Sequence, residues 1–248
     1  MKTPRVLKSI VRLNKPRSGC RFSGVLMPVI LFFIAGCASS GGNWDKPKGE
    51  AAMPKIFPAV FWNGTMPTGS FKTQTPMRIT LLHTGKMLAP GQDMKAYMNT
   101  LQRRDIQRGW GDLGAHYYID PAGMIYQSRR INIQGHILEE NEVNTEGHVF
   151  IMLLGDYNLM DPSQETAEPF QKSLISLLAW LIQHHNIPRE DIRGLNAFIQ
   201  TDSPGKYMTR WLYSPIFDLR LRQQLKEVIP PQEKKQIEQE YRKRQKAG

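Results

Sequence analysis

Metal binding, nucleophilic attack and lipid attachment each demand particular side chains, and this 248-residue chain has few of them outside its first 40 residues. There are six histidines, at His83, His116, His136, His148, His184 and His185, and two cysteines, at Cys20 and Cys37. His184 and His185 are adjacent on an expected helix and so point in different directions, unlike the i, i+4 pair of a zinc helix. Near a helix C-terminus, where positive charge is favoured, they read as surface and capping residues. Ser203 has no histidine and acid following it in the order that a serine hydrolase relay needs. His148 opens an apolar run and reads as a satisfied histidine at a strand end. Both cysteines fall in or at the end of the leader described next, so no disulfide and no thiolate metal ligand is left for the folded part.

That leader is residues 1–36. It carries seven of the 33 Lys and Arg (Lys2, Arg5, Lys8, Arg12, Lys15, Arg17, Arg21), no acid, and an apolar run from Val25 to Ile34. About ten apolar residues are too few to span a bilayer core of roughly 30 Å as a helix, and the pattern is that of a signal peptide. Ile34-Ala35-Gly36-Cys37 resembles the bacterial lipobox, in which the cysteine becomes the first mature residue and carries lipid. The bland alternative is an uncleaved anchor or a short core helix. Each buried acyl methylene contributes about 0.8 kcal/mol, so several chains on Cys37 hold a protein at a membrane without a spanning helix. Ala38 and Ser39 follow, and the absence of Asp there favours, by the same resemblance, the outer membrane with the protein facing the periplasm. Once the leader is removed, the remaining 26 Lys and Arg face 22 acids, a net charge of +4. The high pI belongs to the leader, and nucleic acid gains little support as a partner.

The elements that must position the remaining candidates follow from periodicity. Residues 37–70 are rich in Gly, Ser, Pro and Lys and read as a tether, its distal half holding aromatics (Phe57, Phe61, Trp62) suited to pack on the domain. Arg78–His83 reads as a buried strand, Met94–Gln107 as a helix, and His116–Asp120 with Met124–Tyr126 as a hairpin through Pro121-Ala122-Gly123. His148–Leu154 is a second buried strand. Glu168–Asn186 has a helical apolar face at Leu174, Leu177, Leu178, Leu181 and Ile182. Within the tail, residues 223–248, the part after Pro230-Pro231 (Gln232–Gly248) holds six Lys and Arg and three Glu with almost nothing apolar, a solvated helix or frayed tail. Strands alternating with helices predict an α/β fold with a single core over residues 71–222.

The block Arg108-Gly-Trp-Gly-Asp-Leu-Gly-Ala-His-Tyr-Tyr-Ile-Asp-Pro-Ala-Gly-Met-Ile-Tyr-Gln-Ser-Arg129 resembles the signature of the N-acetylmuramoyl-L-alanine amidase type 2 family, which includes phage amidases and peptidoglycan recognition proteins. Further pieces match in the family's order: Ile79–Thr84, a first strand ending in His-Thr; Gln134-Gly135-His136 with Asn141, a substrate-side loop; Ile151–Tyr157; Ala179–Pro188 with Ile192-Arg193-Gly194; and Thr201-Asp-Ser-Pro-Gly205, matching a closing Thr-x-Cys-Pro-Gly. The resemblance implies a central mixed sheet flanked by helices and a zinc-bearing groove that receives the stem peptide and sugar of peptidoglycan.

In active members zinc is held by a His ending the first strand, a His after the Gly of the Ile-x-Gly turn and a Cys eight residues on, with water in the open fourth position. His83 fills the first position. Leu195 stands at the second and Ser203 at the third. Leucine has no lone pair, and a neutral hydroxyl is a poor zinc ligand beside a thiolate. Ala115 stands where many members have a catalytic Tyr. Thr201 matches the Thr or Lys two residues before the lost Cys. His116 is expected either as a hydrogen-bonded structural residue or as a ligand, and His136 and Asn141 as groove residues touching glycan or peptide.

The expectation is therefore an outer-membrane lipoprotein whose amidase-like domain lacks catalysis and holds no zinc, with His83, Ala115, His116, His136, Asn141 and Thr201 lining a groove for peptidoglycan or an envelope partner. One alternative is an active amidase with a rearranged zinc site built from His83, His116 and Asp202. Another is a purely structural subunit of an envelope complex.

Overall fold

A computed structural model describes residues 49–138 and 143–247. Cys37, the leader and residues 37–48 of the expected tether lie outside the described residues, as does Asn141.

Six strands form one mixed sheet: β1 (Ile56–Phe57), β2 (Arg78–His83), β3 (Tyr117–Ile119), β4 (Ile125–Gln127), β5 (His148–Leu153) and β6 (Ile192–Gly194), in the order β1-β4-β3-β5-β2-β6. Only β3 and β4 pair antiparallel, through the expected hairpin, and every other neighbour is parallel. The helices are α1 (Met94–Gln107), α2 (Glu168–His185), α3 (Lys206–Leu212), α4 (Pro215–Gln224) and α5 (Pro231–Ala247). The expected α/β architecture, a central mixed sheet flanked by helices, is the one observed.

Side chains alternate across a strand, so each central strand serves two cores. Ile79 and Leu81 of β2, with Val149, Ile151 and Leu153 of β5, face the Leu174, Leu177, Leu178 and Leu181 stripe of α2 and Trp211 of α3. Leu82 and Phe150 face the other way, onto Met98 and Leu101 of α1 and onto Trp62, Leu113 and Leu195. Asp93 starts α1 by accepting from the Lys95 and Ala96 N–H groups, satisfying two donors that the first turn leaves open.

The distal half of the expected tether is built into the domain. The Ala51 N–H donates to the Gln183 side chain on α2, β1 extends the sheet beside β4, and a short 3₁₀ turn over Ala59–Trp62 buries Trp62 completely against α1. The Trp62 indole N–H reaches the Gln127 carbonyl at 3.3 Å. At the other end the basic tail is helix α5, which packs through Ile237 and Tyr241. The Tyr241 hydroxyl donates to the Ser163 carbonyl.

Candidate active-site cleft

Parallel strands β2 and β5 bring their C-terminal ends to one edge of the sheet, and β6 delivers Leu195 to the same edge. A cleft of about 260 Å³ opens there. His83, Ala115, His136, Leu195, Thr201, Asp202 and Ser203, dispersed over 120 residues of sequence, all line it.

His83 ends β2 with its side chain only 6% exposed. Its Nδ1 accepts the Tyr157 N–H at 3.1 Å and lies 3.9 Å from Asp156 Oδ1. Burial pulls the imidazole below its ordinary pKa, against the opposing pull of Asp156 and Asp202. In the neutral ring the proton therefore sits on Nε2, which becomes a donor. A zinc-bound histidine is wired the other way, its second nitrogen giving an N–H to an acceptor.

Leu195 is 1% exposed and packs with Leu82, Phe150 and Leu154. Ser203 is held from two sides: its Oγ accepts the His83 backbone N–H at 3.1 Å, and its carbonyl accepts the Asn196 N–H at 2.9 Å. Thr201 Oγ1 accepts the Ser203 N–H at 3.3 Å, a turn contact that fixes the loop. Two glycines permit this crowding. Gly205 sits at φ 99°, and a side-chain carbon there would meet the Tyr157 carbonyl carbon at 2.5 Å; one at Gly114 would meet the His136 carbonyl at 2.3 Å.

Zinc, which the resemblance implies, does not fit this donor set. One imidazole presents an N–H, the second position is hydrocarbon in a closed apolar cluster, and the third is a hydroxyl already accepting from the backbone. Among the described residues, no group of three or more His, Cys, Asp or Glu is disposed to hold a metal ion.

His116 is a correction to the expected groove. It is fully buried beneath the sheet's second face, its Nδ1 accepting the Phe150 N–H at 2.9 Å and its Nε2 donating to the Ile133 carbonyl at 2.9 Å. Burial lowers its pKa to about 4. With both nitrogens committed to backbone it neither lines the cleft nor joins His83 and Asp202, so the rearranged ligand set is not assembled. Its neighbour His148 is likewise internal, with Nδ1 2.8 Å from Thr80 Oγ1.

Several lining residues escaped the sequence reading. Arg104 on α1 and Arg108 at its C-terminal cap both pair with the buried Asp105, at 3.0 and 2.9 Å, and Asp105 Oδ2 accepts the Gly114 N–H at 3.2 Å. Their i, i+4 spacing on one helix face was the available signal. Tyr118 lines the cleft beside Ala115 and its hydroxyl accepts the Ala115 N–H at 3.3 Å. Trp110 stacks on His136, ring centroids 5.7 Å apart and planes 12° from parallel.

The family profile described as N-acetylmuramoyl-L-alanine amidase matches residues 72–206, more than half of the chain. The chain belongs to this amidase family. It is 24% identical over 159 residues to peptidoglycan-recognition protein LB of Drosophila melanogaster, an overlap that takes in 62% of this chain and 66% of that protein's length. Among solved structures, Drosophila peptidoglycan recognition protein SD superposes with a TM-score of 0.53 at 24% identity, covering 63% of this chain and 91% of that one. The endolysin amidase LysCS of Clostridium intestinale URNW gives 0.52 at 23% identity, covering 72% and 99%. At these identities the structural likenesses establish the amidase fold.

Proposed function

We propose that this domain binds peptidoglycan without hydrolysing it, as the wall-directed part of an outer-membrane lipoprotein anchored through Cys37 and facing the periplasm. The observation that carries the reading is Leu195: the position that would supply the second zinc ligand is a buried hydrocarbon packed into the core. Metal-activated water is the source of the family's chemistry, and among the described residues no ligand set is disposed to hold that metal. Tyr118 does not replace it, since burial drives its phenol further from ionisation. What is left is a cleft with donors and acceptors fixed by backbone, suited to holding a peptide. The family membership, and a curated relative that is by name a peptidoglycan-recognition protein, support the ligand class.

The test uses the full chain purified in detergent. Metal analysis is expected to return far less than one zinc per chain, muropeptides are expected to remain uncut with zinc supplied, and the protein is expected to sediment with isolated sacculi. Tightly bound stoichiometric zinc, or release of stem peptides that chelator abolishes, would refute the absence of catalysis. Failure to sediment with sacculi would instead favour a structural role in an envelope complex.

A further inference from the structure

Helix α5 lies outside the span that the family profile covers and contributes nothing to the cleft lining, yet its charges are sorted by face. Its inward side is fixed by Ile237 and Tyr241, which pack on the core, and by Gln245, whose side chain donates to the Ser163 carbonyl at 3.0 Å. At 3.6 residues per turn the opposite side carries Lys235, Gln239, Arg242, Lys243 and Lys246, all exposed to solvent, and no acid. We propose that this face docks on an anionic phospholipid surface, the leaflet that holds the lipid on Cys37. The proposal rests on the lipoprotein reading of Cys37 and gives the chain a second, electrostatic contact with the same membrane.

Three observations carry it. First, the acids of the helix are engaged elsewhere. Glu233 pairs with Arg222 at 2.6 Å and Glu238 with Lys234 at 3.9 Å, and Glu240 accepts from the Gln236 amide at 3.4 Å. Lys235, Arg242, Lys243 and Lys246 enter no ion pair among the described residues, so the outer face presents four uncompensated charges over about 16 Å of helix. Such a row matches the negative potential of an anionic leaflet, where each basic residue near the surface strengthens binding roughly fivefold. The face holds no large apolar side chain, so the contact is with headgroups rather than by insertion. Second, the chain ahead of the domain enters beside the start of α5. The Lys226 ammonium donates to the Glu50 carbonyl at 3.4 Å, and the Gln183 amide to the Gly49 and Leu225 carbonyls at 3.4 and 3.5 Å. Lys226 stands five residues before Pro231, where α5 begins. Cys37 and Gly49 are 12 positions apart, a span of at most about 40 Å, so an acyl chain on Cys37 keeps the helix near the leaflet and gives a weak patch a high effective concentration. Third, α5 lies on the sheet face opposite α1: Ile237 and Tyr241 join the core that holds α2 and α4, whereas Met98 and Leu101 of α1 belong to the other. Docking through α5 leaves the α1 side of the cleft, with Arg104, turned away from the membrane and open to the cell wall.

The test puts a dye on this face of the full, acylated chain and reads energy transfer to acceptor-labelled headgroups. Gln239→Cys supplies the thiol, since Cys20 leaves with the leader and Cys37 carries lipid. Vesicles of phosphatidylcholine alone are compared with vesicles holding about 30% phosphatidylglycerol, at about 0.1 M and about 0.5 M salt. Transfer is expected to be higher in the anionic vesicles, and the gain to vanish at the higher salt and in a variant that adds Lys235→Gln, Arg242→Gln, Lys243→Gln and Lys246→Gln. All four positions are exposed, so the variant is expected to melt with its parent. Equal transfer in the two kinds of vesicle, or a gain that the four substitutions leave intact, overturns the docking. A variant that instead loses sacculus binding, with vesicle transfer unchanged, assigns the face to the carboxylates of the wall and also overturns it. Should mass spectrometry find no acyl chain on Cys37, the anchor reading fails separately, and sedimentation of the same protein with the anionic vesicles decides. Binding weakened on the order of a hundredfold by the four substitutions then supports the docking, and binding they leave intact, or none at all, overturns it.

Discussion

At Leu195 a single side chain separates two chemistries, and putting the imidazole back has a cost that its surroundings set. Leu195→His places a polar ring among Leu82, Phe150 and Leu154 with no metal to bind it, and is expected to destabilise the domain by about 1 to 3 kcal/mol. Thermal melting of the purified protein checks this. Adding Ser203→Cys supplies a thiolate beside it, and the double variant, once His83 gives up the Tyr157 N–H to free Nδ1 for the metal, is expected to retain zinc through gel filtration and to recover the lost stability when metal is present. It is expected to leave muropeptides uncut until Ala115→Tyr is added as well.

A second residue-scale outcome concerns pH. Burial lowers the pKa of His116 and of His148 to about 4, from 6.5. Between those values the unfolded chain binds more protons than the folded one, so stability is complete above about pH 6.5, falls as pH drops through the window, and stops falling below about 4. The drop is on the order of 3 kcal/mol for each histidine if its shift is fully expressed. Urea unfolding at a series of pH values should show it, and His116→Gln should remove part of the slope. That Leu195, Ser203 and Ala115 replace two ligands and a Tyr was legible only through the resemblance to the amidase signature. The commitment of His116 was not legible, because its partners Phe150 and Ile133 lie 34 and 17 residues away in sequence.

Among the elements, the loop from Trp110 to Gly114 depends on Arg129. Its Nε donates to the Leu113 carbonyl at 3.0 Å, and its Nη2 to the Trp110 carbonyl at 2.9 Å and to the Asp112 carbonyl at 3.4 Å. Arg129→Met keeps the bulk but leaves three carbonyls without their donor, and is expected to cost on the order of 3 kcal/mol. It should also loosen Trp110 from His136, read as a change in tryptophan fluorescence together with weaker binding to sacculi. Strand β2 and helix α1 matched the expected bounds: a compact, mostly apolar run marks β2, and Asp93 caps α1 ahead of the apolar pair Met98 and Leu101. Strand β1 has two residues and helix α5 touches the core through Ile237 and Tyr241 alone, which is too little pattern to read as a strand or a buried face.

For the whole molecule, the N-terminal segment and the C-terminal helix are expected to contribute unequally. Ending the chain at Pro230 removes α5 and uncovers its contact with α4, on the layer away from α1; melting should fall modestly and sacculus binding should persist. Replacing Trp62 by Ala empties a fully buried site that ties the segment to α1 and β4, and is expected to cost about 3 to 5 kcal/mol by melting.

The same segment decides where mechanical load enters. Tension applied to the chain ahead of Gly49 would be borne first by the Gln183 contacts and the short β1–β4 pairing, and in the sheet order β1-β4-β3-β5-β2-β6 the strand that carries His83 lies three strands beyond β4. In a pulling experiment the segment should peel away at low force as a distinct step, with the strands that carry the cleft giving way only later and at higher force.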